Sequence, residues 1–95
     1  AVQAHNDLVA IGAGEILIQQ GIQIPGQLSL MGFGNILTAE HFRVPLTTVR
    51  QPKFRLGLAA VESMLDLIRG GSPTTKRLPA EIVSRNSTAS LLKKA

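Results

Sequence analysis

The sequence predicts an α/β domain, because segments with the apolar pattern of strands alternate with segments of helical length. Residues 7–20 and 53–69 have helical patterns that end at glycine, and residues 28–33 form a nearly continuous apolar run typical of a parallel strand covered on both faces. The chain has 95 residues, of which 44% are hydrophobic and 17% are charged. This composition allows one compact domain or part of a larger one, and it argues against disorder.

The first predicted elements are the end of a strand over residues 1–5 and a helix over residues 7–20. Asn6 stands at the N-cap position of this helix, and Gly21 follows it where a C-terminal cap is common. The helix is apolar around more of its circumference than the stripe of about 100° that packing on a sheet requires. The surplus predicts a second buried contact, for which another subunit is a candidate.

The middle of the chain carries two predicted strands. Residues 24–26 predict a turn, the strand over residues 28–33 follows it, and Gly34-Asn35 ends that strand. A loop or short helical turn then leads to Pro45, after which residues 46–50 form a further predicted strand.

The last third contains the second predicted helix. Pro52 can open it at its first helical position, where a missing N–H has no cost, and it runs to about Arg69 before Gly70-Gly71. Residues 82–84 predict a final strand. Residues 89–95 predict a weakly ordered tail.

The charge pattern excludes several classes of protein. All ten Lys and Arg residues lie at or after Arg43, but they are spread over a helix, a loop and a tail and mixed with acidic residues, which favours solvated surface over a DNA-binding face. The chain has no cysteine for disulfides or thiolate metal sites, which fits a reducing compartment. It has no signal-peptide pattern and no apolar run near the roughly 18 residues of a membrane span, so we expect a soluble protein without membrane contact.

The sequence contains no catalytic pattern. His5 and His41 have no acidic partner at metal-ligand spacing, and the serines have no nucleophile-elbow or Ser-His-Asp signal around them. The glycines of Gly12-Ala13-Gly14 lie within the first helix rather than before it, which favours close helix packing over a phosphate-binding loop. We therefore expect no enzyme activity, no metal site and no cofactor.

Four phrases in fixed order carry a resemblance to a known family. They are NDLVAIG at residues 6–12, MGFGN at 31–35, PLTTVRQP at 45–52 and LPAEIVSRNST at 78–88. Together they resemble the C-terminal third of the effector-binding domain of LacI/GalR-family transcription regulators. The resemblance implies a partial periplasmic-binding-protein-like fold, in which two Rossmann-like lobes close on a small molecule. It also implies that DNA is bound only through an N-terminal helix-turn-helix domain that this chain lacks, so that the chain is a fragment.

The resemblance also implies a division of the chain. Residues 1–50 would belong to the C-terminal lobe, residues 51–84 would form a crossover segment with a helix of the N-terminal lobe, and residues 85–95 would be a return segment and tail. The crossover helix would then expose apolar surface that other strands of its lobe normally cover, and such surface favours swapping or oligomerisation.

The candidate effector site lies at the carboxyl ends of the predicted strands, where open α/β sheets bind ligands. By resemblance, Asn6 matches a side chain that hydrogen-bonds the effector, and Gln51 matches a crossover residue that reaches the ligand in related sugar-binding proteins. An amide offers both a donor and an acceptor to sugar hydroxyls. Two alternatives stay open: Asn6 caps its helix, and Gln51 is a hinge residue that bonds backbone.

Gly34 is where this sequence departs from the family, most members of which have Asp at that position. One interpretation is a glycine needed for positive φ in a turn. The other is that the lost carboxylate admits an anionic ligand, since some family members that resemble this variant, with Gly-Phe-Gly, respond to sugar acids such as gluconate. Asn35 either supplies a replacement polar group or stabilises the turn. Arg50 either favours an anion such as a sugar acid or sugar phosphate, or points outward.

The surplus apolar surface and the resemblance together predict a homodimer. The predicted interface residues are Leu8, Ile11, Glu15, His41 and Phe42. The predicted function is the effector-sensing and dimerising part of a cytoplasmic LacI-type repressor that responds to a sugar, sugar acid or sugar phosphate. The alternative is part of a periplasmic sugar-binding protein of an ABC transporter.

Overall fold

The computed structural model describes residues 1–91, so the last four residues of the predicted tail lie outside the described residues. The described elements are, in chain order, β1 (Val2–Gln3), α1 (Asp7–Gln19), β2 (Leu30–Met31), α2 (Leu37–His41), β3 (Thr48–Arg50), α3 (Lys53–Ile68) and β4 (Glu81–Val83). This order confirms the α/β class. The chain forms two compact units, one of residues 1–50 with the segment from 81 onward, the other of residues 51–80.

The first unit is built on short strands. β1 pairs with β2 in parallel, and β3 pairs with β4 in antiparallel orientation. A parallel bridge between Met31 and Thr47 places β2 beside β3, and the N–H of Gly34 donates to the carbonyl oxygen of Val49 at 2.9 Å. β2 is shorter than the predicted strand over residues 28–33, because β1 and β3 pair with it over few residues. Backbone hydrogen bonds nevertheless continue beyond both ends of β2.

A single serine completes the pairing between β2 and β3. The Ser87 hydroxyl is fully buried, donates to the Leu30 carbonyl oxygen at 2.5 Å and accepts from the Thr47 N–H at 2.8 Å. The Leu30 N–H donates in turn to the Ser87 carbonyl oxygen at 2.8 Å. A side chain from the end of the chain thus takes the place of a backbone partner between two strands.

The core of the first unit is mainly aliphatic, with Phe42 as a buried aromatic residue. Its buried cluster consists of Ala10, Ile24, Leu30, Ala39 and Leu46. The peptide bond between Ile24 and Pro25 is cis, within the predicted turn.

The ends of α1 match the prediction. The Asn6 side-chain oxygen accepts from the Val9 N–H at 2.9 Å, and Gly21 follows the helix with φ of 82°. The close-packing interpretation of the glycine pair is confirmed for Gly14 alone. A Cβ added to Gly14 would lie 2.8 Å from the ring of Phe42, whereas one added to Gly12 would meet no described atom within 4 Å.

This difference gives a prediction about stability. Gly14→Val is expected to lower the free energy of unfolding of the intact protein by about 1–3 kcal/mol, because the added methyl groups have to displace a buried aromatic ring. Gly12→Val is the control, because it makes the same change in helix propensity but its side chain would not overlap the Phe42 ring. Urea denaturation of both variants isolates the packing effect, and equal stability of the two would contradict it.

The second unit consists of α3 and the segment that follows it. Pro52 is the N-cap of α3 rather than its first helical residue, which corrects the predicted position by one residue. The helix ends before Gly70, which has φ of 84°. The apolar side chains of α3 are exposed, Phe54 to 80%. Lys76 and Glu62 form an exposed ion pair at 3.6 Å. None of the described helices is long and apolar enough to cross a membrane.

Candidate effector-binding site

The first unit brings two strand ends together. Asn6 and Asp7 follow β1, Gly34 and Asn35 follow β2, and the Asp7 N–H donates to the Phe33 carbonyl oxygen at 3.1 Å. Because β1 and β2 are parallel, these carboxyl ends lie at the same edge of the sheet. The third predicted residue, Gln51, begins the second unit, where its carbonyl oxygen accepts from the Lys53 N–H at 2.8 Å. The effector role of Gln51 stays a prediction.

Asp7 is the central polar group of these strand ends, although the sequence did not single it out. Its side chain is fully buried. One carboxylate oxygen accepts from the Thr48 hydroxyl at 2.6 Å and the other from the Ile36 N–H at 2.8 Å. Its place in the first turn of α1 is favourable for a negative charge. Asp7 therefore joins α1, β3 and the segment after β2.

Gly32 leaves the room that this carboxylate needs. A Cβ added to Gly32 would overlap the Asp7 carboxylate and would lie 2.9 Å from a methyl group of Leu46. Gly32, the first glycine of the Gly-Phe-Gly phrase, is thus needed for close packing. Gly34, the second glycine, has open space beside it.

The Gly34-Asn35 turn has positive φ at both residues, 120° at Gly34 and 58° at Asn35. Glycine adopts such φ readily, and asparagine is among the residues that tolerate the left-handed region. The backbone thus supports the turn interpretation of Gly34. A Cβ added there would meet no described atom within 4 Å, so the space beside Gly34 is open. The Asn35 N–H donates to the Thr48 hydroxyl at 3.2 Å, which connects the turn to the Asp7 cluster.

Arg85 is a second residue that the sequence did not single out. Its Nη2 donates to the Asn35 side-chain oxygen at 2.8 Å, and its Nη1 donates to the Leu46 carbonyl oxygen at 3.0 Å. Its own backbone N–H donates to the Thr47 hydroxyl at 3.0 Å. The oxygen of Asn35 is therefore engaged within the chain, which supports its interpretation as a turn-stabilising residue.

The local charges differ from those that the sequence suggested. Arg50 is exposed and lies 3.6 Å from the carboxylate of Glu81, its partner in the β3–β4 register, so its charge is balanced nearby. The cation beside the Gly34-Asn35 turn is Arg85 rather than Arg50. The argument for an anionic effector from Arg50 is weakened accordingly.

The outer surface of α1 is largely apolar, as its composition predicts. Leu8 is 68% exposed and Ile16 57% exposed. Of the predicted interface residues besides Leu8, Ile11 is half-buried against the core and His41 is exposed. Phe42 is buried within its own unit, where its ring packs against α1 at Gly14. Its direct contact with a partner stays a prediction.

An ion pair borders the same surface. The Arg43 guanidinium donates to both carboxylate oxygens of Glu15, with Nε at 3.2 Å from Oε1. The pKa of Arg43 lies above its ordinary value because of this hydrogen bond and the charge of Glu15, while desolvation acts in the opposite direction. Glu15 is thus held at the edge of the apolar surface with its charge paired.

The residues at these strand ends suit a small hydroxylated molecule better than a metal ion. Within residues 1–91, no group of three or more His, Cys, Asp or Glu residues could hold a metal. Asn6 follows β1 and caps α1 through its side-chain oxygen, and the space beside Gly34, which follows β2, is open. Polar groups at the carboxyl ends of neighbouring strands mark the edge at which open α/β sheets bind ligands.

The family model of the periplasmic binding protein-like domain matches residues 1–88, and the chain belongs to this family, within it to the LacI/GalR regulators. It is 41% identical over 95 residues to the HTH-type transcriptional repressor PurR of Vibrio cholerae, a match that covers 98% of this chain and 28% of that protein.

Solved structures agree. The lac repressor dimer bound to operator and an anti-inducer has a TM-score of 0.84 at 27% identity, covering 93% of this chain and 31% of that chain. A LacI family transcriptional regulator from Enterococcus faecium with bound ribose has a TM-score of 0.75 at 38% identity, covering 93% of this chain and 34% of that one. These matches confirm the predicted family and fold. The chain spans less than a third of the length of the PurR relative.

Proposed function

We propose that this chain is the effector-sensing and dimerising part of a cytoplasmic LacI-type transcription repressor without enzyme activity. The observation that carries the proposal is the pair of polar strand ends at one edge of the sheet, with Asn6-Asp7 after β1, Gly34-Asn35 after β2 and open space beside Gly34. DNA would be bound by another part of the protein. The repressors among the relatives favour this function over a periplasmic sugar-binding protein of a transporter.

The proposed effector is a sugar, a sugar acid or a sugar phosphate. The ribose-bound relative supports a small hydroxylated ligand, and the amide of Asn6 suits such a ligand because it can both donate and accept. Gly34 supplies no carboxylate at this strand end, so an anionic group would meet no repulsion from it. We therefore rank sugar acids and sugar phosphates above neutral sugars.

Thermal-shift measurements on the intact protein test the proposal with matched pairs, D-ribose with D-ribonate and D-glucose with D-gluconate. At about 100 times its Kd, a ligand that binds only the native state adds about 2.7 kcal/mol of stability. We expect the acid of one pair to raise Tm more than its sugar. Stabilisation by none of the four compounds would remove the support for this effector class, and stabilisation by the neutral sugars alone would refute the preference for anions.

Gly34→Asp gives the residue-level control for this experiment. The added carboxylate is expected to weaken acid binding at least tenfold relative to neutral-sugar binding, because it places a like charge in the site. Gly34→Asn has the same shape and the same strain at φ of 120°, without the charge. If both variants shift the two ligands alike, backbone strain rather than charge explains the effect.

A further inference from the structure

The segment after β4 is joined to the Gly34-Asn35 turn by one side chain. Arg85 uses two different nitrogens for two acceptors, the Asn35 side-chain oxygen at 2.8 Å and the Leu46 carbonyl oxygen at 3.0 Å. Its backbone N–H is held by the Thr47 hydroxyl at 3.0 Å. Arg85 is therefore held by hydrogen bonds at its backbone and at its guanidinium. The planar guanidinium fixes the direction of each of its two bonds.

The other bonds of the turn involve only its backbone. The Asn35 N–H donates to Thr48 and the Ile36 N–H donates to Asp7. Arg85 is the described partner of the Asn35 side chain, and Asn35 has φ of 58°, in the left-handed region that asparagine tolerates better than most L residues but less readily than glycine. The charge-assisted bond from Arg85 stabilises Asn35 in that conformation.

We infer that Arg85 is a positioning residue of the effector site, which holds the Gly34-Asn35 turn in place without touching the effector. The inference rests on the proposed function for its effect on binding. Its effect on the turn itself does not depend on any ligand. A guanidinium is required because one ammonium group cannot reach both acceptors with the same directions.

Hydrogen exchange in the ligand-free intact protein tests the first part. In Arg85→Met, we expect the amides of Asn35 and Ile36 to exchange about tenfold faster, while those of the buried α1 residues keep their protection. Arg50→Met is the matched control, because Arg50 is exposed and its ion-pair partner within residues 1–91 is Glu81, which faces it in the β3–β4 register. Arg85→Lys serves as a milder variant with part of the protection retained. Unchanged exchange at both amides in both Arg85 variants would overturn the inference.

A double-mutant cycle tests the second part, with D-ribose and D-ribonate titrated by calorimetry. Arg85→Met is expected to weaken the binding of whichever compound binds by at least fivefold. In an Asn35→Gly background the same substitution should have a much smaller effect, because glycine adopts positive φ unaided and has no side chain to hold, so that only the bond to Leu46 is lost. A general loss of stability would instead weaken binding equally in both backgrounds, and that result would overturn the inference.

The two experiments separate the two claims. If neither compound binds the unsubstituted protein, the proposed effector class has failed, and the exchange of the Asn35 and Ile36 amides alone decides whether Arg85 positions the turn. If the compounds bind and the cycle shows no coupling, the effector site stands and the role of Arg85 is refuted.

Discussion

Asp7→Ala is expected to lower the free energy of unfolding of the intact protein by about 3 kcal/mol or more. The substitution leaves the buried Thr48 hydroxyl and the part-buried Ile36 N–H without their acceptor. Each unsatisfied buried donor costs about 1–3 kcal/mol. The lost charge at the start of α1 adds a smaller term of about 0.3–1 kcal/mol.

Two variants identify the cause of this loss. Asp7→Asn keeps the side-chain volume and an acceptor for Ile36, but its amide nitrogen faces a hydroxyl that now donates to Asp7. We expect an intermediate loss. Glu40→Ala removes an exposed carboxylate from α2 and is expected to change stability by less than about 0.5 kcal/mol. Urea denaturation measures all three, and Asp7→Ala as mild as Glu40→Ala would show that Asp7 is not the connecting group described.

Leu8→Asp is expected to weaken the proposed dimer about 100-fold. Leu8 is 68% exposed on α1, so the folded unit loses little when it is replaced, and a carboxylate in the first turn of a helix is favourable. At a dimer interface the same carboxylate would be desolvated without a partner, which costs several kcal/mol. Sedimentation velocity of the intact protein over a concentration series measures the dissociation constant.

Gln23→Asp is the control for this experiment. It adds the same charge at an exposed residue in the segment after α1, outside the predicted interface. We expect it to leave the dimer intact. An unchanged dimer in Leu8→Asp would place the interface elsewhere and would leave the exposed apolar face of α1 without its proposed partner.

The helix ends were predictable from sequence because their determinants are local. The Asn6 side-chain oxygen caps α1 by accepting from the Val9 N–H three residues later. Gly21 and Gly70 take the positive φ that ends a helix. Strand limits were less predictable, since β2 is as long as its neighbours allow rather than as long as its apolar run. The position of Pro52 differed by one residue, within the usual uncertainty of a helix boundary.

The candidate site was only partly predictable. Asn6 and Gly34 stand at strand ends that the sequence itself indicates. Asp7 looked like an ordinary acid in a first helical turn, and its partner Thr48 is 41 positions away. Arg85 meets Asn35 across 50 positions. The pairing of Arg50 with Glu81 likewise depends on the β3–β4 register, which hydrophobic pattern alone does not specify.

The Ser87 bridge makes the order of synthesis matter. The hydroxyl that joins β2 to β3 comes from a residue 57 positions after Leu30. At about 5–20 residues per second, a ribosome needs about 3–11 seconds to add that stretch. During this interval the Leu30 carbonyl has been made but its partner has not, and the Thr47 N–H waits for the last 40 residues of that stretch. The contact between β2 and β3 is therefore completed only late in synthesis, and Ser87→Ala would leave the Leu30 carbonyl and the Thr47 N–H without the hydroxyl that joins them.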